Sequence, residues 1–274
     1  MQFGKHFIDL SQSHVMGILN VTPDSFSDGG KHANVTQAVE HALRMLDEGA
    51  TFIDIGGEST RPGAPDVSLQ EELDRTIPVI EAVSNISECV ISIDTSKADV
   101  MREAVKAGAG LINDVRALQE PGALEAAANA EVPVCLMHMK GQPRTMQDNP
   151  EYNDVIKEVG QFLIERAAAC EQAGIPKDAI LFDPGYGFGK SLEHNYALVK
   201  HLPRIMSLGY PVLVGMSRKS MIGNLLNRKV DDRLAGSISL ATIVAQMGAQ
   251  IIRVHDVKET ADAVNIVKML NTIK

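Results

Sequence analysis

Short apolar runs recur along the chain and alternate with longer segments of helical periodicity. The runs are aliphatic and rich in β-branched residues, and they lack the polar alternation of a half-exposed strand. This pattern is typical of parallel strands that are buried on both faces of a sheet. The eight runs are VMGILN from Val15, FIDIGG from Phe52, CVISID from Cys89, LINDV from Leu111, PVCLMHM from Pro133, AILFDPG from Ala179, PVLVGM from Pro211 and QIIRVHD from Gln250.

The intervening segments carry apolar residues three and four positions apart, which predicts amphipathic helices. Several of these segments end in glycine, the residue that most readily terminates a helix. Pro78 falls inside the second segment and is expected to interrupt or kink that helix. The predicted helices cover residues 36–48, 69–83, 98–107, 123–130, 154–173, 195–206, 234–247 and 261–270.

Eight strands that alternate with eight helices predict an α/β protein with a single (β/α)8 TIM barrel. A doubly wound sheet is disfavoured, because such sheets usually show a GxGxxG motif after the first strand. Residues 1–14 lie outside the repeat, and residues 15–274 are assigned to the barrel. We expect the N-terminal extension to form a short hairpin that closes the bottom of the barrel. Its apolar residues are Phe3, Phe7, Ile8 and Leu10.

Composition narrows the class of protein. The net charge is −9, and Lys and Arg form no basic stripe, which disfavours nucleic acid binding. The chain has neither a signal-peptide pattern nor an apolar run of about 18 residues, so we expect no membrane span. The cysteines are widely spaced without a CxxC motif, which disfavours a disulfide framework or zinc site and suits the reducing cytoplasm. They are Cys89, Cys135 and Cys170.

Nearly every predicted strand ends in an ionisable or amide side chain, whereas the strand beginnings are plain. In (β/α)8 enzymes the active site lies at the C-terminal rim of the barrel, so these side chains predict an active site there. Capping of the next helix would explain one or two of them but not a full ring. The ring comprises Asn20, Asp54, Glu58, Asp94, Asn113, Asp114, His138, Asp183, Ser217, Arg218, Lys219, Arg253 and His255.

Two basic clusters, MSRKS and RVHD, follow the seventh and eighth strands. Barrels often bind phosphate with these two loops, so the clusters predict an anion site. Arg253 can bind an anion with its planar fork, and His255 can donate another hydrogen bond. A short helix beginning at Ser220 would direct its N-terminus toward an anion. The alternative for Arg253 is a buried ion pair with Asp183 or Asp256, and for Lys190 a solvated charge.

At these rim residues the sequence resembles the dihydropteroate synthases. The matching segments occur in the family's order and span nearly the whole chain after residue 14. They are NVTPDSFSDGG from Asn20, DIGGESTRPGA from Asp54, SIDTSK from Ser92, INDV from Ile112, MHM from Met137, DPGYGFGK from Asp183, GMSRKS from Gly215 and RVHDV from Arg253.

The resemblance implies a transferase of folate biosynthesis. It would join 6-hydroxymethyl-7,8-dihydropterin diphosphate to 4-aminobenzoate, forming 7,8-dihydropteroate and releasing diphosphate. The family is thought to react through a pterin carbocation, and sulfonamides compete with its aminobenzoate. The resemblance also implies Mg²⁺ as cofactor, a homodimer, and rim loops after the first two strands that close over the aminobenzoate.

The resemblance carries roles onto particular residues. The pterin would be bound by Asp94, Asn113, Val115, Met137, Asp183, Phe188, Gly215, Lys219 and Arg253. The diphosphate would be bound by Asn20, Thr60, Arg253 and His255, with Mg²⁺ bridging its oxygens and Asn20. The aminobenzoate would contact Phe26, Thr60, Arg61, Pro62, Lys219 and Ser220. Asp94, Lys219, Arg253 and His255 would take part in catalysis.

Two other functions are compatible with a pterin-binding barrel. A methyltetrahydrofolate methyltransferase would share the Asp and Asn contacts to the pterin but would need no diphosphate site, so the two basic clusters argue against it. A non-catalytic pterin-binding paralogue would not need the complete set of catalytic residues. Thermal protection by diphosphate separates the first alternative from the synthase, and turnover separates the second.

Overall fold

The structure is a computed structural model that describes residues 1–22, 31–59, 66–141, 146 and 150–273, with the backbone alone for residues 31–33. The described ranges form an N-terminal hairpin followed by alternating strands and helices. The strands are β1 (Gln2–Phe3), β2 (His6–Phe7), β3 (His14–Asn20), β4 (Phe52–Gly56), β5 (Val90–Asp94), β6 (Leu111–Asp114), β7 (Val134–Met137), β8 (Ile180–Asp183), β9 (Leu213–Val214) and β10 (Ile251–Val254).

The helices surround these strands and are mostly amphipathic. Glycines end several of them, as at Gly49 and Gly108, whose φ angles of 105° and 120° suit only glycine. The helices are α1 (Lys31–Asp47), α2 (Leu69–Ile86), α3 (Ala98–Ala107), α4 (Ala123–Asn129), α5 (Val155–Gln172), α6 (Leu192–Lys200), α7 (Leu202–Met206), α8 (Ser220–Leu226), α9 (Leu234–Gln246) and α10 (Val257–Thr272).

The strands from β3 to β10 form one parallel sheet in the order β8-β7-β6-β5-β4-β3-β10-β9. A parallel bridge from Phe182 to Val212 joins the two ends of this order. The sheet therefore closes on itself, and the (β/α)8 barrel predicted from the sequence is confirmed. Because all strands run in parallel, their C-terminal ends meet at one rim.

Two helix predictions need comment. The helix predicted over residues 195–206 is two helices, α6 and α7, that meet at His201. Pro203 explains the break, because proline lacks the N–H of a continuous helix and its ring crowds the preceding turn. Pro78, by contrast, lies inside the continuous helix α2, so it does not interrupt the helix as the sequence suggested.

The N-terminal hairpin closes the bottom of the barrel, as predicted. Phe3 is fully buried and packs edge-on against Phe52, with 5.1 Å between the ring centroids. Phe7 was expected to share this role, but its side chain is exposed. Phe3 belongs to the barrel's inner core, which it forms with Met16, Phe52, Val90, Leu111, Cys135, Leu181, Leu213 and Ile251.

A larger apolar layer lies between the outside of the sheet and the helices. It contains residues that alternate along each strand with those of the inner core, as the two-residue period of a strand requires. No helix in the described ranges is long and apolar enough to cross a membrane.

Candidate active site

The polar rim residues lie above the apolar inner core because they share its side of each strand. Moving two residues along from an inner-core position reaches the next inward position. On β4 this step leads from Phe52 to Asp54, and on β10 it leads from Ile251 to Arg253. The same step on the other strands gives Ser92, Asn113, Met137, Asp183 and Gly215. The barrel is therefore apolar at the bottom and polar at the top.

Arg253 joins two carboxylates at the centre of this polar layer. Its Nε donates to Asp54 Oδ2 at 2.6 Å, and its Nη2 donates to Asp94 Oδ2 at 2.8 Å. The expected alternative, an ion pair with Asp183 or Asp256, names the wrong partners. The strand register explains the difference. Asp54 and Asp94 lie on adjacent strands, β4 and β5, and point into the barrel, where Arg253 from β10 contacts both.

Asp54 is a site residue that the family assignment did not include. It is fully buried, and besides Arg253 it faces Asn113, whose Nδ2 donates to Asp54 Oδ2 at 3.3 Å. The sequence predicts Asp54 in the rim ring but assigns it no role. Asp54 fixes the orientation of both Asn113 and Arg253, two of the residues assigned to the pterin.

Asp94 and Asn113 are direct neighbours in the β5–β6 register. Burial raises the pKa of Asp94 to about 7, although the Arg253 guanidinium opposes this rise. Asp54 and Asp114 raise it further, because like charges disfavour another carboxylate. The charge of Asp94 therefore changes near neutral pH, at a value set by its burial and by the neighbouring charges.

Asp183 and Lys219 form the opposite side of the site. Burial raises the pKa of Asp183, and Lys219 opposes that rise. Burial likewise lowers the pKa of Lys219 to about 8, and Asp183 opposes that fall. Lys219 Nζ donates to Tyr186 O and lies 4.4 Å from the centre of the Phe188 ring. This aromatic face and ammonium were both assigned to the pterin.

Three further residues assigned to the pterin form its apolar surroundings. Met137 pairs with Asp183 in the β7–β8 register and is buried. A side chain at Gly215 would contact the stem of Arg253, since its Cβ would lie 3.8 Å from Arg253 Cβ. Val115, just beyond β6, is also buried. Direct contacts or strand neighbours thus link eight of the assigned pterin residues, whereas for Val115 the structure shows burial beyond the end of β6.

The loops after β9 and β10 lie side by side, as the anion-site prediction requires. Ser217 Oγ lies 3.2 Å from both the backbone N and Nδ1 of His255. Arg218 Nε donates to Asp256 Oδ2 at 3.0 Å, so the Asp256 carboxylate is occupied by Arg218 rather than Arg253. Helix α8 begins at Ser220, as predicted, with Lys219 as its N-cap residue.

The environment of Lys190 differs from the one suggested by the sequence. It is not a solvated charge but a buried side chain, with its Nζ 2.9 Å from His138 Nδ1. Burial lowers its pKa, an effect that Asp183 partly offsets. This burial could not be predicted from the local sequence, because two of the four contacts come from His138 at the end of β7.

The residues assigned to the diphosphate and the aminobenzoate lie partly within and partly outside the described residues. Asn20 ends β3 and is half-exposed at the rim. The remaining members of the diphosphate and aminobenzoate sets lie outside the described residues: Phe26, Thr60, Arg61 and Pro62. The two loops expected to close over the aminobenzoate fall largely in the same gaps.

A metal cage made by the protein alone is not present in the described ranges, which contain no group of three or more His, Cys, Asp or Glu side chains able to hold an ion. The amide oxygen of Asn20 is a hard donor at the rim. A single donor of this kind fits a Mg²⁺ ion that is held mainly by phosphate oxygens.

Comparison with known proteins places this site in a family context. Residues 16–255 match the family described as pterin binding enzyme. The dihydropteroate synthase of Escherichia coli strain K12 is 60% identical over 261 residues, covering 95% of this chain and 93% of that protein. The Yersinia pestis dihydropteroate synthase in complex with a sulfonamide drug superposes with a TM-score of 0.95 at 56% identity, covering 100% and 99% of the two chains. The Xanthomonas albilineans enzyme with 4-aminobenzoic acid gives a TM-score of 0.91 at 53% identity, covering 97% and 95%.

Proposed function

The chain belongs to the dihydropteroate synthases of the pterin-binding enzyme family, and from this premise we propose how its rim residues divide the reaction between them. The activity is the condensation of 6-hydroxymethyl-7,8-dihydropterin diphosphate with 4-aminobenzoate. The C–O bond to diphosphate breaks, a C–N bond forms to the amine, and the amine nitrogen loses a proton. The observation that carries the proposal is the inward polar layer formed by Asp54, Asp94, Asn113, Asp183 and Arg253.

The pterin binds in this layer. Its amino and ring N–H groups are donors, so a buried carboxylate is the complementary partner, and Asp183 takes this role. Asn113 and Lys219 contact the ring's acceptors, and Asp94 lies deeper on the same ring. Met137, Val115, Phe188 and Gly215 form the apolar slot for its faces, and Arg253 covers one of them.

Charge stabilisation drives the bond cleavage. The leaving diphosphate gains negative charge, which Arg253 on β10 and His255 directly after β10 neutralise. The pterin methylene gains positive charge, which the Asp94 carboxylate stabilises. Arg253 contributes twice, since its guanidinium also opposes the protonation of Asp94. No nucleophilic side chain is needed on this dissociative path.

A magnesium ion would be held by the diphosphate and Asn20 and would neutralise leaving-group charge. The aminobenzoate carboxylate would bind at the start of α8, through the Ser220 hydroxyl and backbone N–H, beside Lys219. By the family resemblance, Thr60, Arg61, Pro62 and Phe26 would belong to this site and Thr60 also to the diphosphate site, and sulfonamides would compete with the aminobenzoate. The three thiols among the described residues are free, which supports a reducing, cytoplasmic location.

Product formation tests the function directly. The full-length protein, incubated with both substrates and Mg²⁺, is expected to release dihydropteroate and diphosphate in equal amounts. The absence of product at high enzyme concentration would contradict the synthase. Diphosphate that gives no thermal protection would favour a methyltransferase, and pterin binding without turnover a non-catalytic paralogue. Activity that survives chelation of divalent ions would contradict the magnesium assignment.

The diphosphate role of Arg253 is tested by substitution. Arg253→Ala is expected to lower kcat by about 10²–10³-fold, the usual effect of removing one group that stabilises transition-state charge. The matched control is Lys200→Ala, an exposed cation on α6, which should leave kcat unchanged. Equal losses in the two folded variants would rule out the assignment.

A further inference from the structure

Lys190 ends in a buried cage of acceptors behind the loop that follows β8. Its Nζ lies 2.8 Å from Gly185 O, 3.0 Å from Phe188 O and 3.2 Å from His138 O. The fourth neighbour is His138 Nδ1 at 2.9 Å, and burial beside Lys190 lowers the pKa of this imidazole to about 2 and keeps it neutral. Burying an amine is costly without such partners, and the reaction described above uses none of these contacts.

The loop that Lys190 holds is tightly constrained. Gly185, Gly187 and Gly189 all have positive φ, and a Cβ at Gly185 would lie 1.9 Å from His138 O. The loop backbone therefore packs directly on the end of β7. Asn195 accepts from Gly187 N at 2.7 Å, and Tyr152 donates to Gly189 O at 2.8 Å.

The same loop supplies the surroundings of two pterin residues. Gly185 N donates to Asp183 Oδ1 at 2.7 Å, and Tyr186 O accepts from Lys219 Nζ. The Phe188 ring lies over the same ammonium. The two loop carbonyls bound by Lys190, those of Gly185 and Phe188, flank the Tyr186 carbonyl on either side.

These contacts connect Lys190 to the site although Lys190 is not among the residues assigned to either substrate. We propose that Lys190 is a positioning residue, which fixes the loop after β8 so that the Tyr186 carbonyl and the Phe188 ring hold Lys219 against the pterin site. This role rests on the proposed function of Lys219 as a pterin residue. It extends that function, because the shape of the pterin site then depends on Lys190, which lies behind the loop.

Lys190→Met tests this role, since methionine has similar length and no hydrogen to donate. We expect the KM for the pterin diphosphate to rise about tenfold, because small misplacements of positioning groups are costly, whereas the KM for aminobenzoate should change less. The loss of a well-placed acceptor should disfavour the charged form of Lys219. The fall in kcat/KM at alkaline pH, which we assign to deprotonation of Lys219 and call the alkaline limb, should therefore move to lower pH.

Two variants separate positioning from general loop support. Tyr152→Phe removes a hydrogen bond to the same loop at Gly189 but leaves both carbonyls held by Lys190, so it should not move the alkaline limb. Lys190→Gln retains two donors and should fall between wild type and Lys190→Met.

The results decide the role without ambiguity. If the wild type is active and Lys190→Met leaves both the KM for the pterin diphosphate and the alkaline limb unchanged, the positioning role is wrong. The proposed synthase function is not affected by that result. An inactive wild type contradicts the proposed function itself. Failure of both Lys190 variants to fold, judged by circular dichroism and thermal melting, would also overturn the positioning role. A residue that only positions this loop should not be required for the barrel to fold.

Discussion

Burial moves the pKa values of Asp94 and Lys219 toward neutral pH from opposite sides. Burial raises the pKa of Asp94 to about 7 and lowers that of Lys219 to about 8. The proposed reaction needs Asp94 as an anion and Lys219 as a cation. Both forms coexist above the pKa of Asp94 and below that of Lys219, so burial confines the active form to a narrow range.

We therefore expect a bell-shaped pH dependence of kcat/KM for the pterin diphosphate, since this parameter reports the free enzyme. Activity should fall as pH drops through about 7, when Asp94 is protonated, and as pH rises through about 8, when Lys219 is deprotonated. Rates measured across both limbs check this expectation.

Lys219→Arg is the matched variant for the alkaline limb. Arginine stays charged at all accessible pH values, so whatever activity the folded variant retains should lack that limb. An alkaline limb that persists unchanged in this variant would mean that another group titrates there.

At the scale of elements, the hairpin β1–β2 and the rim loops occupy opposite ends of the barrel. The hairpin inserts one side chain, Phe3, into the apolar bottom, and its second aromatic, Phe7, faces solvent with 72% of its surface exposed. The two residues thus offer a matched pair within one element, one buried and one exposed.

Phe3→Ala is expected to lower the free energy of unfolding by about 3–5 kcal/mol, the usual cost of truncating a buried phenylalanine. Phe7→Ala should change it by less than about 0.5 kcal/mol, as is common for surface substitutions. Denaturant titration measures both values. Below its unfolding transition Phe3→Ala should retain wild-type KM values, and raised KM values would show that the hairpin influences the distant rim.

At the scale of the whole molecule, exposed apolar side chains gather on three neighbouring helices. They include Leu225 and Leu226 on α8, Ile243 on α9, and Ile266, Met269 and Leu270 on α10. Contiguous exposed apolar surface commonly marks an interface, so we propose that this face forms the homodimer.

Ile266→Glu combined with Leu270→Glu places two charges on this face, one helical turn apart. We expect a dimeric wild type and a monomeric, folded variant in sedimentation equilibrium, because a buried unpaired charge opposes association. Ile86→Glu, an equally exposed isoleucine at the end of α2, is the control and should stay dimeric. A monomeric wild type would contradict the dimer.

The amino-acid pattern by itself determined the barrel and the order of its strands, and it predicted the ring of polar side chains at the strand ends. These are local properties, since strand parity and the end of a strand can be identified from a few neighbouring residues. The chemistry of dihydropteroate synthesis came from matching motifs, and the identity to known synthases confirmed the family.

Only the tertiary structure decided which charges meet. Arg253 pairs with Asp54 and Asp94, which precede it by 199 and 159 residues. Asp256, one of the alternative partners considered for Arg253, pairs with Arg218 instead. Lys190 is buried because the end of β7 lies beside its loop. Such partners depend on sheet closure and register, and the burial that shifts the pKa values of Asp94 and Lys219 arises only when distant segments pack together and exclude water.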